Sequence, residues 1–215
     1  MSATAPDALL FITTGCPHCP VVLQGLSDLV KQAAIGKLTV VNVAAHPELA
    51  AEYGIRAAPW LRLGPFTLTG AHTPAELRQW VEWSSGKEGI ARYVEHLLKQ
   101  GEFKQAGLFI AEDTQRLKPL LSIVADPEKS IEVRVGVDAL LESYSNAPAL
   151  QSLLPQLAEL THHTDHRVRA DACHLLGLSG SAAARPYLET CVSDISEEVR
   201  EIAVESLQLL EKVKN

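Results

Sequence analysis

The chain has 215 residues and a mass of 23.3 kDa, a length that fits either one large domain or two small ones. Apolar residues make up 47% and charged residues 21%, which excludes a disordered chain, and the lack of a long apolar run excludes a membrane span. The net charge of −7 does not attract phosphate backbones, so no nucleic-acid partner is expected. Because there are only four cysteines and no basic secretory start, we expect a cytoplasmic protein in which a cysteine pair is catalytic or metal-binding.

Residues 1–86 predict a small α/β domain. Short apolar runs rich in β-branched residues predict strands, and the stretches between them predict helices. The strands are expected at 8–13, 37–43, 60–63 and 66–69. The first helix is expected in the stretch that carries Val21, Val22, Leu26, Leu29 and Val30, and two more helices are expected at 46–54 and 73–83. The first two strands should be parallel because a helix joins them, whereas Gly64 and Pro65 should turn the last two into a hairpin. The pattern ends at residues 84–86 (Ser-Ser-Gly), where we place the domain boundary.

Residues 87–215 carry no strand pattern and predict a series of helices with an internal repeat. The motif Val-Arg-x-x-Ala-x-x-x-Leu begins at Val168 and Val199, and it begins at Val133 with a valine in the alanine position. Second helices are expected between these motifs, at 148–160 and 182–194, and a further pair precedes the first motif. Because a single hairpin cannot bury its own apolar face, about three and a half hairpins should stack into a right-handed solenoid.

This repeat resembles the HEAT-like family of α-helical repeats. In that family the arginine after the valine pairs with an acidic group of a neighbouring repeat, which implies a structural ladder of Arg134, Arg169 and Arg200. The resemblance also implies a surface that binds a protein partner. Residues 87–215 hold 14 basic and 20 acidic side chains, an excess that forms either a solvated face or a surface for a basic partner.

The sequence Cys16-Pro17-His18-Cys19 lies where the first strand ends and the first helix is expected to begin. The free N–H groups and positive dipole of a helix N-terminus stabilise a thiolate, so the pKa of Cys16 should fall below the usual value of about 8.5. Cys16 is therefore the expected nucleophile, and Cys19, one helical turn further on, is the expected resolving thiol. Pro17 fits the first turn, and His18 adds a donor or positive charge that should make the pair comparatively oxidising.

Two other roles are open for the same cysteine pair. Zinc knuckles use the Cys-x-x-Cys spacing, but a four-ligand zinc site needs a second pair of ligands, and the nearest histidine outside the motif is His46. Inert structural thiols are the remaining alternative. The position at a strand–helix junction favours the redox role, which requires neither a metal nor an organic cofactor.

Residues 7–86 resemble the short form of the thioredoxin fold, which lacks the extra N-terminal strand and helix. The Cys-Pro-His-Cys motif is similar to that of the DsbA-type oxidants, and the compact topology is similar to that of glutaredoxin-like and archaeal-type small thioredoxins. Residues 55–59 (Ile-Arg-Ala-Ala-Pro) match the loop that carries a cis proline beside the redox pair. The resemblance implies that Pro59 is cis and belongs to the catalytic site, and that Ala58 offers its backbone to an extended substrate chain.

Three residues near the expected site need separate comment. Leu10 occupies the position of a buried acid that accepts the proton of the resolving cysteine in many thioredoxins, so water, His18 or a substrate group would take that role. Gly15 stands where thioredoxins often have an aromatic residue directly before the nucleophile, and the smaller residue should widen access to Cys16. Trp60 follows the proline and is expected either to line the substrate site or to pack against a helix.

The other cysteines and a histidine cluster are not expected to be functional. A turn centred near residue 180 places Cys173 and Cys191 four residues out of register, too far apart for a disulfide. We therefore expect two buried, apolar thiols that resist alkylation. Residues 162–166 hold three histidines and Asp165, the composition of a metal site, but consecutive side chains point apart and should simply be solvated.

The sequence therefore predicts a thiol–disulfide oxidoreductase with an α/β thioredoxin-like domain at 1–86 and an all-α HEAT-like solenoid at 87–215. Its expected partners are a disulfide-containing protein substrate, a thiol electron donor and a protein bound to the solenoid. The expected catalytic residues are Cys16, Cys19, His18 and Pro59, and the expected substrate-binding residues are Pro17, Ala58 and Trp60. The alternative is a non-enzymatic interaction scaffold in which the cysteine pair is a redox switch or binds a soft metal.

Overall fold

The structure, a computed structural model, describes residues 5–86 and 88–212. The chain divides into two compact units between Ile90 and Ala91, and each unit is described by itself. The first contains a mixed sheet with helices, and the second is helical. Within the described ranges, no helix combines the length and the apolar character needed to cross a bilayer.

The first unit follows the predicted order β-α-β-α-β-β-α. Its strands are β1 (Ala8–Ile12), β2 (Leu38–Asn42), β3 (Trp60–Leu63) and β4 (Phe66–Thr69), and its helices are α1 (Cys19–Lys31), α2 (Pro47–Glu52) and α3 (Pro74–Ser85). The two strands of the predicted hairpin have the predicted bounds. The helices differ from the prediction by a few residues at their ends, where local caps and prolines decide where a helix begins.

The four strands form one sheet in the order β2-β1-β3-β4. β1 pairs in parallel with β2, as predicted, and antiparallel with β3, which pairs antiparallel with β4. Successive side chains of the central strand β1 point to opposite faces, and both Leu10 and Phe11 are buried. The sheet is therefore covered on both faces, and its central strand delivers the chain to the Cys-x-x-Cys segment.

The helices α1 and α3 pack closely because Gly25 has no side chain. A Cβ atom at Gly25 would lie 2.8 Å from Cδ1 of Leu77, so a larger residue would push the two helices apart. The start of α3 is fixed by a capping box, in which the Glu76 N–H donates to Oγ1 of Thr73 and the Thr73 N–H donates to the Glu76 carboxylate. These contacts hold α1, which begins with the second cysteine of the pair, in place beside the sheet.

The second unit consists of helices and two 3₁₀ segments, at 114–120 and 182–184. Its helices are α4 (Gly89–Lys99), α5 (Phe103–Glu112), α6 (Leu121–Val124), α7 (Ile131–Glu142), α8 (Pro148–Gln151), α9 (Leu154–Leu160), α10 (His166–Leu178), α11 (Arg185–Cys191) and α12 (Glu197–Lys212). The three repeat motifs lie on α7, α10 and α12. The second helices, predicted as continuous, are interrupted near Pro155 and Pro186, because proline has no N–H and fits best in the first turn of a helix.

Two arginines of the repeat motif pair with carboxylates further along the chain, as predicted. Arg134 donates from Nη2 to Oδ2 of Asp171 at 2.5 Å. Arg169 makes two hydrogen bonds of 2.8 Å to the carboxylate of Asp194, and both side chains are nearly buried. These pairs connect one repeat to the next, so the structure confirms the expected ladder at Arg134 and Arg169.

Arg200, the third arginine of the repeat motif, makes a different kind of contact from the carboxylate pairs of Arg134 and Arg169. Its Nη1 donates to the carbonyl oxygens of Asp194 and Ile195, at 2.8 and 3.2 Å. Arg169 makes the same type of contact with the carbonyl oxygens five and six residues before it. Arg200 therefore fixes the loop before its own helix rather than donating to a carboxylate of another repeat, and this part of the predicted ladder is corrected.

Candidate active site

The cysteine pair follows β1 through a short turn. The Cys16 N–H donates to the carbonyl oxygen of Thr13 at 3.3 Å, which closes the turn. Gly15 has a φ of +79°, a conformation that glycine adopts without the penalty of a side chain. A Cβ atom at Gly15 would meet nothing within 4 Å, so the surface in front of Cys16 is open there, as expected from the absence of an aromatic residue.

The helix α1 begins at Cys19, which is later than predicted. Cys16 precedes the helix because it is followed by Pro17, and the helical conformation is disfavoured for the residue directly before a proline. His18 is the N-cap residue, and both it and Pro17 are exposed. Cys19 is thus the first residue of α1 instead of lying one turn inside it, and its N–H points at the sulfur of Cys16.

Cys16 and Cys19 form a disulfide, with their Cα atoms 5.5 Å apart. The N–H of Cys19 points at the sulfur of Cys16 at 3.2 Å. Cys16 is half-buried, whereas Cys19 is 4% exposed and lies beneath the surface. An incoming group can therefore approach Cys16 but not Cys19, which is the arrangement that a nucleophile and a resolving thiol require.

The loop before β3 lies beside the pair. The Ala58–Pro59 peptide bond is cis, as predicted, and the carbonyl oxygen of Ala58 lies 3.6 Å from the sulfur of Cys16. Pro59 is buried, and its carbonyl oxygen accepts a hydrogen bond of 3.0 Å from the N–H of Gly70. The structure therefore brings together Cys16, Cys19, Ala58 and Pro59, four of the residues that the sequence singles out.

Trp60 lies directly behind this loop in an aromatic cluster. Its ring packs edge-to-face against Phe11 and Tyr53, with centroids 5.5 and 5.8 Å away, and the guanidinium group of Arg62 lies 5.9 Å from the ring centre. The side chain is only 8% exposed. Its main contacts are thus with the core beneath the sheet, and contact with a substrate would be confined to the edge of the ring.

His163 and His166 are held in separate local contacts. The Asp165 N–H donates to Nδ1 of His163 at 3.1 Å, and Nε2 of His166 lies 3.4 Å from the carboxylate of Glu198. Arg167 pairs with the carboxylate of Asp165. In the part of the chain that the structure describes, no three His, Cys, Asp or Glu side chains converge as metal ligands.

The other two cysteines are buried free thiols, as expected. Cys173 lies within α10, and Cys191 is the last residue of α11. The helix α11 begins at Arg185, later than predicted, because a 3₁₀ segment occupies residues 182–184 and Pro186 fits the first turn of the helix that follows. The sequence pattern does not supply helix ends at this precision.

Two family models match the chain. Residues 9–82 match the thioredoxin domain, and residues 117–208 match HEAT repeats. The comparison with curated proteins gives no match. The first match covers the sheet and the cysteine pair, and the second covers the helices that carry the Val-Arg motif. The chain therefore joins a thioredoxin-like domain to a domain of HEAT-like repeats.

Proposed function

We propose that this protein is a thiol–disulfide oxidoreductase whose catalytic dithiol is Cys16 and Cys19. The observation that carries the proposal is the position of the two sulfurs, which form a disulfide at the end of β1 beside the Ala58–Pro59 loop. The match to the thioredoxin domain supports a redox role at this place in the fold. The half-buried Cys16 is the attacking thiol, and the buried Cys19 is the resolving thiol.

In the first step the thiolate of Cys16 attacks one sulfur of a substrate disulfide. The substrate S–S bond breaks, a mixed disulfide forms at Cys16, and the released substrate thiolate takes a proton. The Cys19 N–H, 3.2 Å from the Cys16 sulfur, stabilises the negative charge before the attack. His18, exposed at the N-cap of α1, adds a donor or positive charge at the same end of the helix.

In the second step Cys19 loses its proton and attacks the sulfur of Cys16. The second substrate thiol leaves and is protonated, so the substrate disulfide has gained two electrons and the protein holds the Cys16–Cys19 disulfide. The buried side chain at the usual acceptor position is Leu10, so water, His18 or a substrate group accepts the proton. A thiol electron donor then restores the dithiol by the same exchange in reverse.

The loop before β3 supplies the proposed substrate contacts. Ala58 is half-buried and lies beside Cys16, where its backbone groups can pair with an extended substrate chain. Pro17, the residue directly after the nucleophile, is exposed and available to the same substrate chain. Pro59 fixes the loop, and Trp60 supports it from behind through its contacts with Phe11 and Tyr53.

The helical part is proposed to bind a protein partner. We assign the redox domain to residues 1–86 and the recognition domain to residues 87–215. Ile131 and Val135, one turn apart on α7, expose 72% and 57% of their side chains, which is unusual for aliphatic residues on adjacent turns. We also assign the protein to the cytoplasm, because its cysteine content is low and two of its four cysteines are free thiols.

A disulfide reductase assay with a protein disulfide as substrate and a small dithiol as electron donor tests the proposal. The unmodified chain should turn over many times, and Cys16→Ser should reduce the rate to that of the dithiol alone. The matched control is Cys173→Ala, which removes a cysteine far along the sequence and should keep the unmodified rate. Equal activity of the unmodified chain and Cys16→Ser would refute the enzyme and leave a redox switch or a scaffold.

A further inference from the structure

We propose that His72 is a pH-sensitive positioning residue of the redox site. It lies in the β4–α3 loop (residues 70–73), and the proposed mechanism does not use its side chain. Without a charge, His72 keeps this loop against Pro59. When its buried Nε2 gains a proton, it displaces the loop and slows disulfide reduction. The inference rests on the proposed function, because it concerns the regulation of the same site.

The β4–α3 loop reaches the redox site through a backbone hydrogen bond. The Gly70 N–H donates to the carbonyl oxygen of Pro59 at 3.0 Å. The residue before Pro59 is Ala58, whose carbonyl oxygen lies 3.6 Å from the sulfur of Cys16. His72 follows Gly70 by two residues, so displacement of its side chain moves the loop that holds Pro59.

The other end of the β4–α3 loop is fixed to two helices. Thr73 is the N-cap residue of α3, and its capping box with Glu76 sets where this helix begins. Pro74 lies against α1, since a Cβ atom at Gly25 would lie 3.6 Å from Cα of Pro74. Because the loop is held at both ends, the ring of His72 cannot leave its position without moving the backbone.

The Nε2 atom of His72 is buried and has no hydrogen-bond partner among the described residues. The residue directly before an N-cap often carries an apolar side chain that packs against the fourth residue of the helix, which here is the buried Leu77. His72 thus places a polar ring where an apolar side chain fits. The neutral ring is tolerated there, whereas a charged ring without an acceptor is costly.

The carboxylate of Glu76 acts on His72 as an opposite charge, but it is committed to the N-cap of α3. It accepts a hydrogen bond of 2.7 Å from the Thr73 N–H. Burial holds the pKa of His72 below its usual value of about 6.5, and the charge of Glu76 and the backbone of Thr69 oppose this only in part. The ring is therefore uncharged at neutral pH and takes up a proton only in acid.

The charged side chains of α1 and of the loop before β3 do not favour a charged His72. On α1, the carboxylate of Asp28 pairs with Lys31 at 2.9 Å, in the groove between α1 and the start of α3. Arg78 lines the same groove, and Arg56 is exposed on the loop before β3. Both are cations, which repel a protonated imidazole. A protonated ring therefore has to leave its buried position, and the β4–α3 loop moves with it.

The test follows the His72 ring and the Gly70 amide of the full chain by NMR as the pH falls from about 8 to about 5. We expect the ring to titrate with a midpoint below about 6.5. The Gly70 amide signal should shift with the same midpoint, because its hydrogen bond to Pro59 opens. The Gly70 signal should not follow this titration in His72→Leu, which suits the position, or in His72→Gln, which is polar but gains no charge.

The reductase assay gives a second readout. The rate at about pH 5, divided by the rate of the same protein at about pH 8, should be several-fold higher in both His72 variants than in the unmodified chain. Protonation of the Cys16 thiolate lowers this ratio in every protein, so the difference between proteins reports His72. The control is His46→Gln, at the exposed N-cap of α2, which should give the unmodified ratio.

Three results would overturn the proposal. They are a Gly70 signal that stays constant while the His72 ring titrates, a midpoint of His72 at or above the usual value, and an equal ratio of rates in the unmodified chain and both His72 variants. A chain without reductase activity at any pH would refute the proposed function instead, and the Gly70 titration would still decide whether His72 moves the loop.

Discussion

The N–H of Cys19 points at the sulfur of Cys16 from a distance of 3.2 Å. This N–H belongs to the first residue of α1, and the first N–H groups of a helix have no carbonyl partner within the helix. It is therefore free to stabilise a negative charge on Cys16. The relationship links the start of a helix, set by the prolines around it, to the chemistry of the half-buried Cys16 thiol.

The thiolate of Cys16 should form at a lower pH than that of an ordinary cysteine. With Cys173 and Cys191 replaced by Ala, a pH titration of the thiolate ultraviolet absorbance should give a pKa of Cys16 below the usual value of about 8.5. His18→Ala should raise the pKa of Cys16, whereas His46→Ala, at the N-cap of α2, should not. An unchanged titration in His18→Ala would show that this histidine does not act on the nucleophile.

The paired charges of Arg169 and Asp194 should contribute strongly to the stability of the repeat domain. Asp194→Asn keeps an acceptor for the Ser196 N–H but leaves the nearly buried guanidinium of Arg169 without its counter-charge. We expect a loss of about 3 kcal/mol in the free energy of unfolding, measured with urea. The exposed Arg185–Glu211 pair is the control, and Glu211→Gln should change the stability by less than about 0.5 kcal/mol.

The Arg169–Asp194 pair should also make the stability of the protein depend on pH. Hydrogen bonds from Arg169 hold the pKa of Asp194 below its usual range. The stability that the pair provides is therefore present above the pKa of an unfolded aspartate, about 4, and is lost as the pH falls through the lower pKa of the folded state. The difference in stability between the unmodified chain and Asp194→Asn should shrink on acidification. A constant difference down to pH 2 would contradict this account of the pair.

Asp138 should make the protein less stable at neutral pH than at acidic pH, the reverse of the Arg169–Asp194 pair. Burial raises its pKa to about 6, and the carboxylate of Asp171 adds to the rise, while Arg134 and His174 oppose it. The ionised carboxylate thus costs stability at neutral pH, and the cost disappears as the pH falls from about 6 to about 4. We expect Asp138→Asn to stabilise the protein by about 1–2 kcal/mol at pH 7 after allowance for solvent screening, and to have no effect at pH 4.

Thermal unfolding at the two pH values measures the effect of Asp138→Asn. The control is Glu201→Gln on α12, which removes an exposed carboxylate and should leave the melting temperature unchanged at both pH values. Stabilisation of the same size at pH 4 and pH 7 would mean that packing, rather than the ionised carboxylate, causes the difference.

The exposed aliphatic residues of α7 should affect the binding of protein partners and not the reduction of small disulfides. Ile131→Glu with Val135→Glu places two charges on the surface without changing a buried contact, since both side chains are more than half exposed. We expect the rate of reduction of a small synthetic disulfide to stay the same and the capture of a protein partner by Cys19→Ser to fall several-fold. Equal capture by both forms would remove this surface from the proposed recognition role.

Much of the first domain could be predicted because local patterns specify it. Short apolar runs rich in β-branched residues predicted the strands, Gly64-Pro65 predicted the hairpin, and residues 55–59 predicted the cis Ala58–Pro59 bond through the family resemblance. The Cys-x-x-Cys segment was also predicted correctly, because its four residues are adjacent in the sequence. The start of α1 was placed too early, because the effect of Pro17 on Cys16 competes with the helical pattern that follows.

The second domain shows where sequence patterns lack the required precision. The repeat motif identifies the helices that carry it, and their arginines, but it does not supply the start of α11, which a 3₁₀ segment shifts by a few residues. A shift of that size changes which residues of two neighbouring helices face each other. The carbonyl contacts of Arg200 depend on loop geometry in the same way.

The most direct test of the central claim is capture of the mixed disulfide. Cys19→Ser should accumulate a covalent complex with a disulfide-bonded protein substrate, joined through Cys16, because the resolving thiol is absent. Cys16→Ser should form no such complex, since Cys19 is 4% exposed and cannot be reached. Peptide mapping of the complex distinguishes the outcomes. A complex that forms equally in Cys16→Ser, or no complex in Cys19→Ser, would contradict the assignment of Cys16 as the catalytic nucleophile.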